Sequence, residues 1–249
     1  MTVSDSKPGA LILGVEYQAL GLLRQFRRAG ISCVLVDQDR WGPARFSWHR
    51  SRKFQSPPYD TDDFWPWLVD LCAREGLNRW VLIPTDDEQV LQIAAHRAEA
   101  SQLFRYEGPD AEQYRTLYDK RDGFLWCQAR GIPTPLSHLP MSRGDSSWGD
   151  LQFPFIVKPA FKKNFKKHSK AKAILVSSPA ELKELLQGPL AEVDVRELIY
   201  QDVVPGDGRQ QWSYAGLFKD GKPIAAFTAC RRRQHPPDFG RASTYVIAE

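Results

Sequence analysis

The segment GALILGVEYQALGLLRQFRRAGISCVLVD, from Gly9 to Asp37, constrains the fold more than any other part of the chain. GALILG is a short apolar run ending at Gly14. Ala19, Leu22, Leu23 and Phe26 then recur at helical spacing, which places them on one face of a helix. Gly30 stops that helix, and SCVLVD is a second buried strand ending at Asp37. A strand, a helix and a strand this closely spaced form a right-handed parallel unit.

The alternation continues. Phe64, Trp67, Leu68 and Leu71 mark a second helix, with Thr61 or Asp62 as its cap and Gly76 as its stop. RWVLIPTDD reads as a third strand entering a polar turn, followed by one helix from about Glu88 to Ala100. The pattern predicts a parallel sheet covered by helices, an α/β domain over residues 1–112.

The texture changes after that point. YDKRDGFLWCQARGIPTP predicts a short helix, a stop at Gly131 and a proline-rich exit. FPFIVKP and AILV read as strands, and Ser178, Pro179 and Glu181 open a helix with a capping box. ELIYQDVVPG, QWSYAGLF and KPIAAFTACR read as three further strands, the last two joined by an Asp-Gly hairpin turn at KDGK. Residues 113–249 are therefore expected to form a second, α+β domain.

Composition narrows the function classes. Hydrophobic residues make up 42% and charged residues 26%, a globular balance. No window approaches the apolar length of a membrane span, and the N-terminus lacks a signal-peptide pattern. Cys33, Cys72, Cys127 and Cys230 form no C-x-x-C pair, which argues against zinc and disulfides and for a reduced cytoplasm. Gly14 and the helix after it could bind an anion, and Asp37 could meet a ribose hydroxyl. Glu16 and Ala19 occupy the places where a dinucleotide fingerprint needs glycines, which argues against an oxidoreductase.

The net charge of +4 is concentrated. Seven lysines lie between Lys158 and Lys172, in a run bracketed by two strands and so expected at a hairpin tip. Such a tip suits either polyphosphate or plain solvent. A third use is nucleic-acid binding through Lys162–Lys172, where only Phe161 and Phe165 supply aromatic interleaving. Lys158 differs from the rest, because it ends a buried strand, where lysine seldom sits without a partner. In ACRRRQHPPDFGRASTY, Arg231, Arg232, Arg233 and Arg241 surround His235 and suit carboxylates or phosphates.

Five segments in this order resemble the ATP-grasp superfamily, in its carboxylate–amine ligase-like and carbamoyl-phosphate-synthase-like groups. They are LILGVEYQALGLLRQFRRAGISCVLVD, VLIPTDDEQVLQIAAH, DKRDGFLWCQARGIPTP, FPFIVKP and LIYQDVVPG. The resemblance implies a Rossmann-like pre-ATP-grasp domain followed by an incomplete ATP-grasp α+β domain.

It also implies roles. Lys120 and Lys158 resemble the lysines that contact nucleotide phosphates, and the lysine run, Lys166 included, resembles the lid over them. Gln201, Asp202, Val203 and Val204 resemble the inter-lobe hinge, with Asp202 and Val204 at the adenine. Asp207 and Gln210 are the ribose candidates, and Arg231 and Arg241 the catalytic ones.

The implied partners are ATP with Mg2+, a small carboxylate and an amine, without a membrane, and nucleic acid at Lys162–Lys172 stays the remote alternative. No metal ligand is assigned here, since the family's magnesium ligands are expected in a C-terminal segment beyond STYVIAE. The full-length form is expected to be an ATP-dependent ligase working through an acyl phosphate. The alternative is a non-catalytic nucleotide-binding or regulatory module. Oligomeric state is open, a homodimer included, and loss of the last strands is expected to expose an apolar sheet face.

Overall fold

A computed structural model describes residues 8–48, 52–106, 108–143, 147–161, 165, 169, 171–235 and 241–247. The chain forms two compact units, Met1–Tyr118 and Asp119–Glu249. No helix among the described residues is long and apolar enough to cross a membrane.

The first unit is built on a four-stranded parallel sheet in the order β3-β2-β1-β4. The strands are β1 (Ala10–Leu13), β2 (Cys33–Asp37), β3 (Arg52–Gln55) and β4 (Val81–Pro84). Because side chains alternate along a strand, β1 feeds two cores. Leu11 and Leu13 join Val34 and Val36 against α2 (Phe64–Glu75), where Phe64, Leu68 and Leu71 are fully buried. Ala10 and Ile12 join Leu35 against α1 (Tyr17–Arg28), through Ala19 and Leu23. Two covered faces explain why β1 and β2 read as unbroken apolar runs. Each large side chain buried in this way contributes about 1.5–3 kcal/mol.

Several local expectations shift. The cap of α2 is Asp63 rather than Thr61 or Asp62, and its side chain makes no capping bond. Thr61 instead accepts the Phe64 N–H through its carbonyl. Gly76 closes α2 at φ +66°, a left-handed conformation that favours glycine. The single helix expected at Glu88–Ala100 is two, α3 (Asp87–Ala95) and α4 (Arg97–Leu103), broken at His96. The His96 ring stacks on Trp65 at 4.7 Å, a packing contact that helical periodicity does not reveal. Strand β3 and helix α5 (Ala111–Tyr118) carry no strong periodic signal, being an exposed edge and an unburied surface helix.

The second unit holds two sheets. One runs β5-β8-β6-β7, with β5 (Ser137–His138), β6 (Phe155–Pro159), β7 (Ile174–Val176) and β8 (Leu198–Asp202), all its pairs antiparallel. Two further helices, α6 (Lys120–Gln128) and α7 (Pro179–Gln187), belong to this unit. Ser178 caps α7, accepting from the Glu181 N–H at 3.2 Å, but the expected box is not closed, since the Glu181 carboxylate accepts from the Ser177 N–H at 2.8 Å and not from Ser178. The core gathers Phe155, Val157, Leu182, Leu198 and Tyr200.

The second sheet is an antiparallel meander of β9 (Trp212–Lys219), β10 (Lys222–His235) and β11 (Arg241–Ile247). Asp220 and Gly221, at φ +50° and +72°, make the Asp-Gly turn between β9 and β10. Every residue of β9 is exposed, Trp212, Tyr214 and Phe218 among them.

Candidate functional site

The expected phosphate-binding lysines converge in the second unit. Lys120 is the first residue of α6, and its place is set by Asp119. The buried Asp119 carboxylate accepts from the Arg121 N–H at 2.8 Å, satisfying one of the orphan donors at the helix start. The next residue, Arg121, ties the helix to the sheet, donating to Leu198 O at 3.1 Å and Pro140 O at 3.2 Å. Lys120 Nζ reaches Ala160 O at 3.1 Å, just past the end of β6.

Lys158 sits on β6 opposite Ile199 of β8. Its Nζ donates to Gln201 Oε1 at 2.6 Å. Burial pushes the Lys158 ammonium below the usual lysine range, and the like charge of Lys120 adds to that. The partner of this half-buried cation is thus a neutral amide, and the charge that acts on it is that of a second cation. Such an arrangement favours an incoming anion, which would relieve both the repulsion and the lost hydration.

The other expected residues are dispersed. Asp202 is half-exposed at the end of β8, where its N–H donates to Leu136 O at 2.9 Å. Val203 and Val204 follow as exposed residues, 40% and 63% accessible, so their place is set by the strand end and not by packing. Asp207 caps a short 3-10 turn at Gly208–Gln210, accepting from the Arg209 N–H at 2.7 Å. The Gln210 side chain lies over Gly206, where a Cβ would come within 2.2 Å of Gln210 Oε1.

Arg231, on β10, donates from Nη1 to Gln234 Oε1 at 2.8 Å, while its buried Nε has no hydrogen-bond partner. Arg241 opens β11 opposite His235, and its side chain lies outside the described residues. Lys166 lies outside them as well. Its neighbour Phe165 is described and is buried in the core of the unit. That aromatic, counted above as nucleic-acid interleaving, is therefore used as an anchor and is not open for base stacking.

The first unit handles its glycine turn differently from a phosphate loop. The Thr85 hydroxyl donates to Leu13 O at 2.7 Å and lies where a side chain at position 14 would stand. Asp37 accepts from the Asp39 N–H at 2.7 Å within its own turn, and burial raises its carboxyl above the usual range. Among the described residues no group of three or more His, Cys, Asp or Glu is placed to hold a metal ion.

Three residues that sequence reading passed over matter here: Asp119, Arg121 and Ser137. Asp119 had a signal, an acidic residue directly before a helix. Arg121 and Ser137 had none, because their partners are 77 and 64 residues away.

No protein-family model matches the chain, and no curated protein does. Solved structures do. The chain is similar to an L-amino acid ligase from Bacillus licheniformis, with a TM-score of 0.69 at 14% identity over 98% of this chain and 55% of that one. It is similar to N5-carboxyaminoimidazole ribonucleotide synthetase from Thermus thermophilus, with a TM-score of 0.66 at 19% identity over 91% and 55%. A third, carboxyaminoimidazole ribonucleotide synthase from Aspergillus clavatus in complex with ATP, gives 0.60 at 14% over 91% and 55%. The chain has the ATP-grasp fold of these ligases, and it spans about half the length of the solved ligases that it matches.

Proposed function

We propose that this chain is the nucleotide-binding portion of an ATP-dependent ligase that joins a carboxylate to an amine. The observation that carries the reading is the Lys158 ammonium: half-buried, hydrogen-bonded to neutral Gln201 and repelled by Lys120. The ATP-grasp fold supports the same reading, as does the ATP held by one of the similar structures.

In this reading Lys120 and Lys158 hold the phosphates, and Gln201 to Val204 line the adenine. Asp207 and Gln210 face the ribose, and Arg231 and Arg241 lie near the reacting phosphoryl group. A carboxylate oxygen attacks the terminal phosphorus and ADP departs. An amine nitrogen then displaces phosphate from the acyl phosphate. The lysines contribute by offsetting negative charge that water would otherwise solvate.

Calorimetric titration with a non-hydrolysable ATP analogue tests this. Saturable binding, weakened at least tenfold (about 1.4 kcal/mol) in Lys158→Ala, is expected. A folded protein that shows no binding, or binding indifferent to Lys158→Ala, overturns the assignment.

A further inference from the structure

The Lys158 ammonium does not stand on Gln201 alone. Gln201 lies on β8 directly opposite Ser137 of β5 on one side and Ile156 of β6 on the other. Its Oε1 accepts from Lys158 Nζ at 2.6 Å, and its Nε2 donates to Ser137 Oγ at 2.7 Å. Ser137 Oγ in turn donates to Pro135 O at 3.0 Å.

The direction of this chain is forced. An ammonium has donors only, so the end of the amide facing Lys158 must be its oxygen. The NH2 end then faces Ser137, which must accept. Ser137 can do so because its own proton goes to the Pro135 carbonyl. With the amide reversed, NH2 would meet NH3+ and the serine would lose its donor. The backbone braces the same corner, since the Asp202 N–H donates to Leu136 O at 2.9 Å.

We infer that Ser137 is a positioning residue for Lys158. Through Gln201 it holds the one amide orientation that keeps the ammonium extended along the sheet. An alanine at 137 leaves the amide free to turn, and the ammonium then loses its fixed acceptor. As a statement about nucleotide binding, this rests on the function proposed above. The geometry of Lys158 itself does not.

The test compares wild type, Ser137→Ala, Ser137→Thr, Gln201→Ala and the double variant Ser137→Ala/Gln201→Ala, each checked for folding by circular dichroism. ADP is the probe. Loss of one hydrogen bond in the chain should weaken ADP binding about 3- to 10-fold in Ser137→Ala. Ser137→Thr keeps the hydroxyl and should stay within about twofold of wild type. In the Gln201→Ala background the serine has nothing to orient, so Ser137→Ala should add no further loss. An equal loss in both backgrounds, or a threonine variant as weak as the alanine, overturns the inference.

A second readout needs no nucleotide. In protein labelled with [13C]lysine, the pH titration of the Lys158 Cε resonance should move to a lower midpoint in Ser137→Ala, because the charged form has lost its acceptor. An unmoved midpoint overturns the inference. If wild type binds no ADP, the nucleotide reading falls, and this titration alone decides whether Ser137 acts on Lys158.

Discussion

A side chain at Gly14 would place its Cβ 2.0 Å from the Thr85 hydroxyl oxygen. The strand-end turn after β1 and the polar turn after β4 are thus packed into each other. Thr85 also bonds the Leu13 carbonyl, and Gln89 Oε1 accepts the Thr85 N–H at 2.8 Å. In an open parallel sheet, the carboxyl ends of the strands are where ligands enter. Here the position beside Gly14 is filled by protein.

Gly14→Ala should therefore be costly. Gly14 has φ +116°, which an L-residue resists, and the new methyl group also meets the hydroxyl. Together these predict a loss of about 2–4 kcal/mol. Urea denaturation should show a lower midpoint at unchanged slope. In a Thr85→Ala background the penalty should shrink but persist, because the backbone strain remains.

Asp119 caps the helix that starts with Lys120. Asp119→Ala should cost about 1–2 kcal/mol, and Asp119→Asn much less, because the amide oxygen can still accept from the Arg121 N–H. Thermal unfolding measures both. Equal losses in the two variants would show that charge, and not capping, is what Asp119 supplies.

The folded state lowers the proton affinity of Lys158. Between that lowered value and the ordinary lysine value of 10.5, the unfolded chain binds more protons than the folded one, so stability should rise with pH across that window. Lys158→Met should remove that rise and leave the protein at least as stable at neutral pH. Anion binding has the opposite sign and should weaken as pH climbs through the lowered value. Urea titrations at several pH values check the first statement. An identical pH slope in Lys158→Met would refute it.

Three of the four cysteines, Cys33, Cys72 and Cys230, are buried, and Cys127 is half-buried. Burial pushes the Cys33 thiol up to about 11, far from the thiolate form at pH 8. Reaction of the native protein with Ellman's reagent should give one fast equivalent, from Cys127, with the other three appearing only as the protein opens. A Cys127→Ser variant should abolish the fast phase.

The short or exposed strands β3, β5 and β11 left no mark in the sequence, which by itself determined three of the four parallel strands of the first unit, β1, β2 and β4, and most elements of the second. Those features are written in local periodicity: the apolar runs of β1 and β2, the Phe64, Leu68 and Leu71 stripe, the Ser178 cap and the Asp220-Gly221 turn. It also singled out Lys158, because a lysine ending an apolar strand needs a partner. What that partner is was beyond local pattern. Gln201 lies 43 residues on and Ser137 faces it from 64 residues before, and only the pairing of β5, β8 and β6 brings them into one chain of hydrogen bonds. The same holds for Phe165, whose place inside a lysine run suggests exposure, although packing puts it in the core. Periodicity reports which face of an element is buried. Which side chains meet there is decided by register between strands distant in sequence, and that register is a property of the folded sheet.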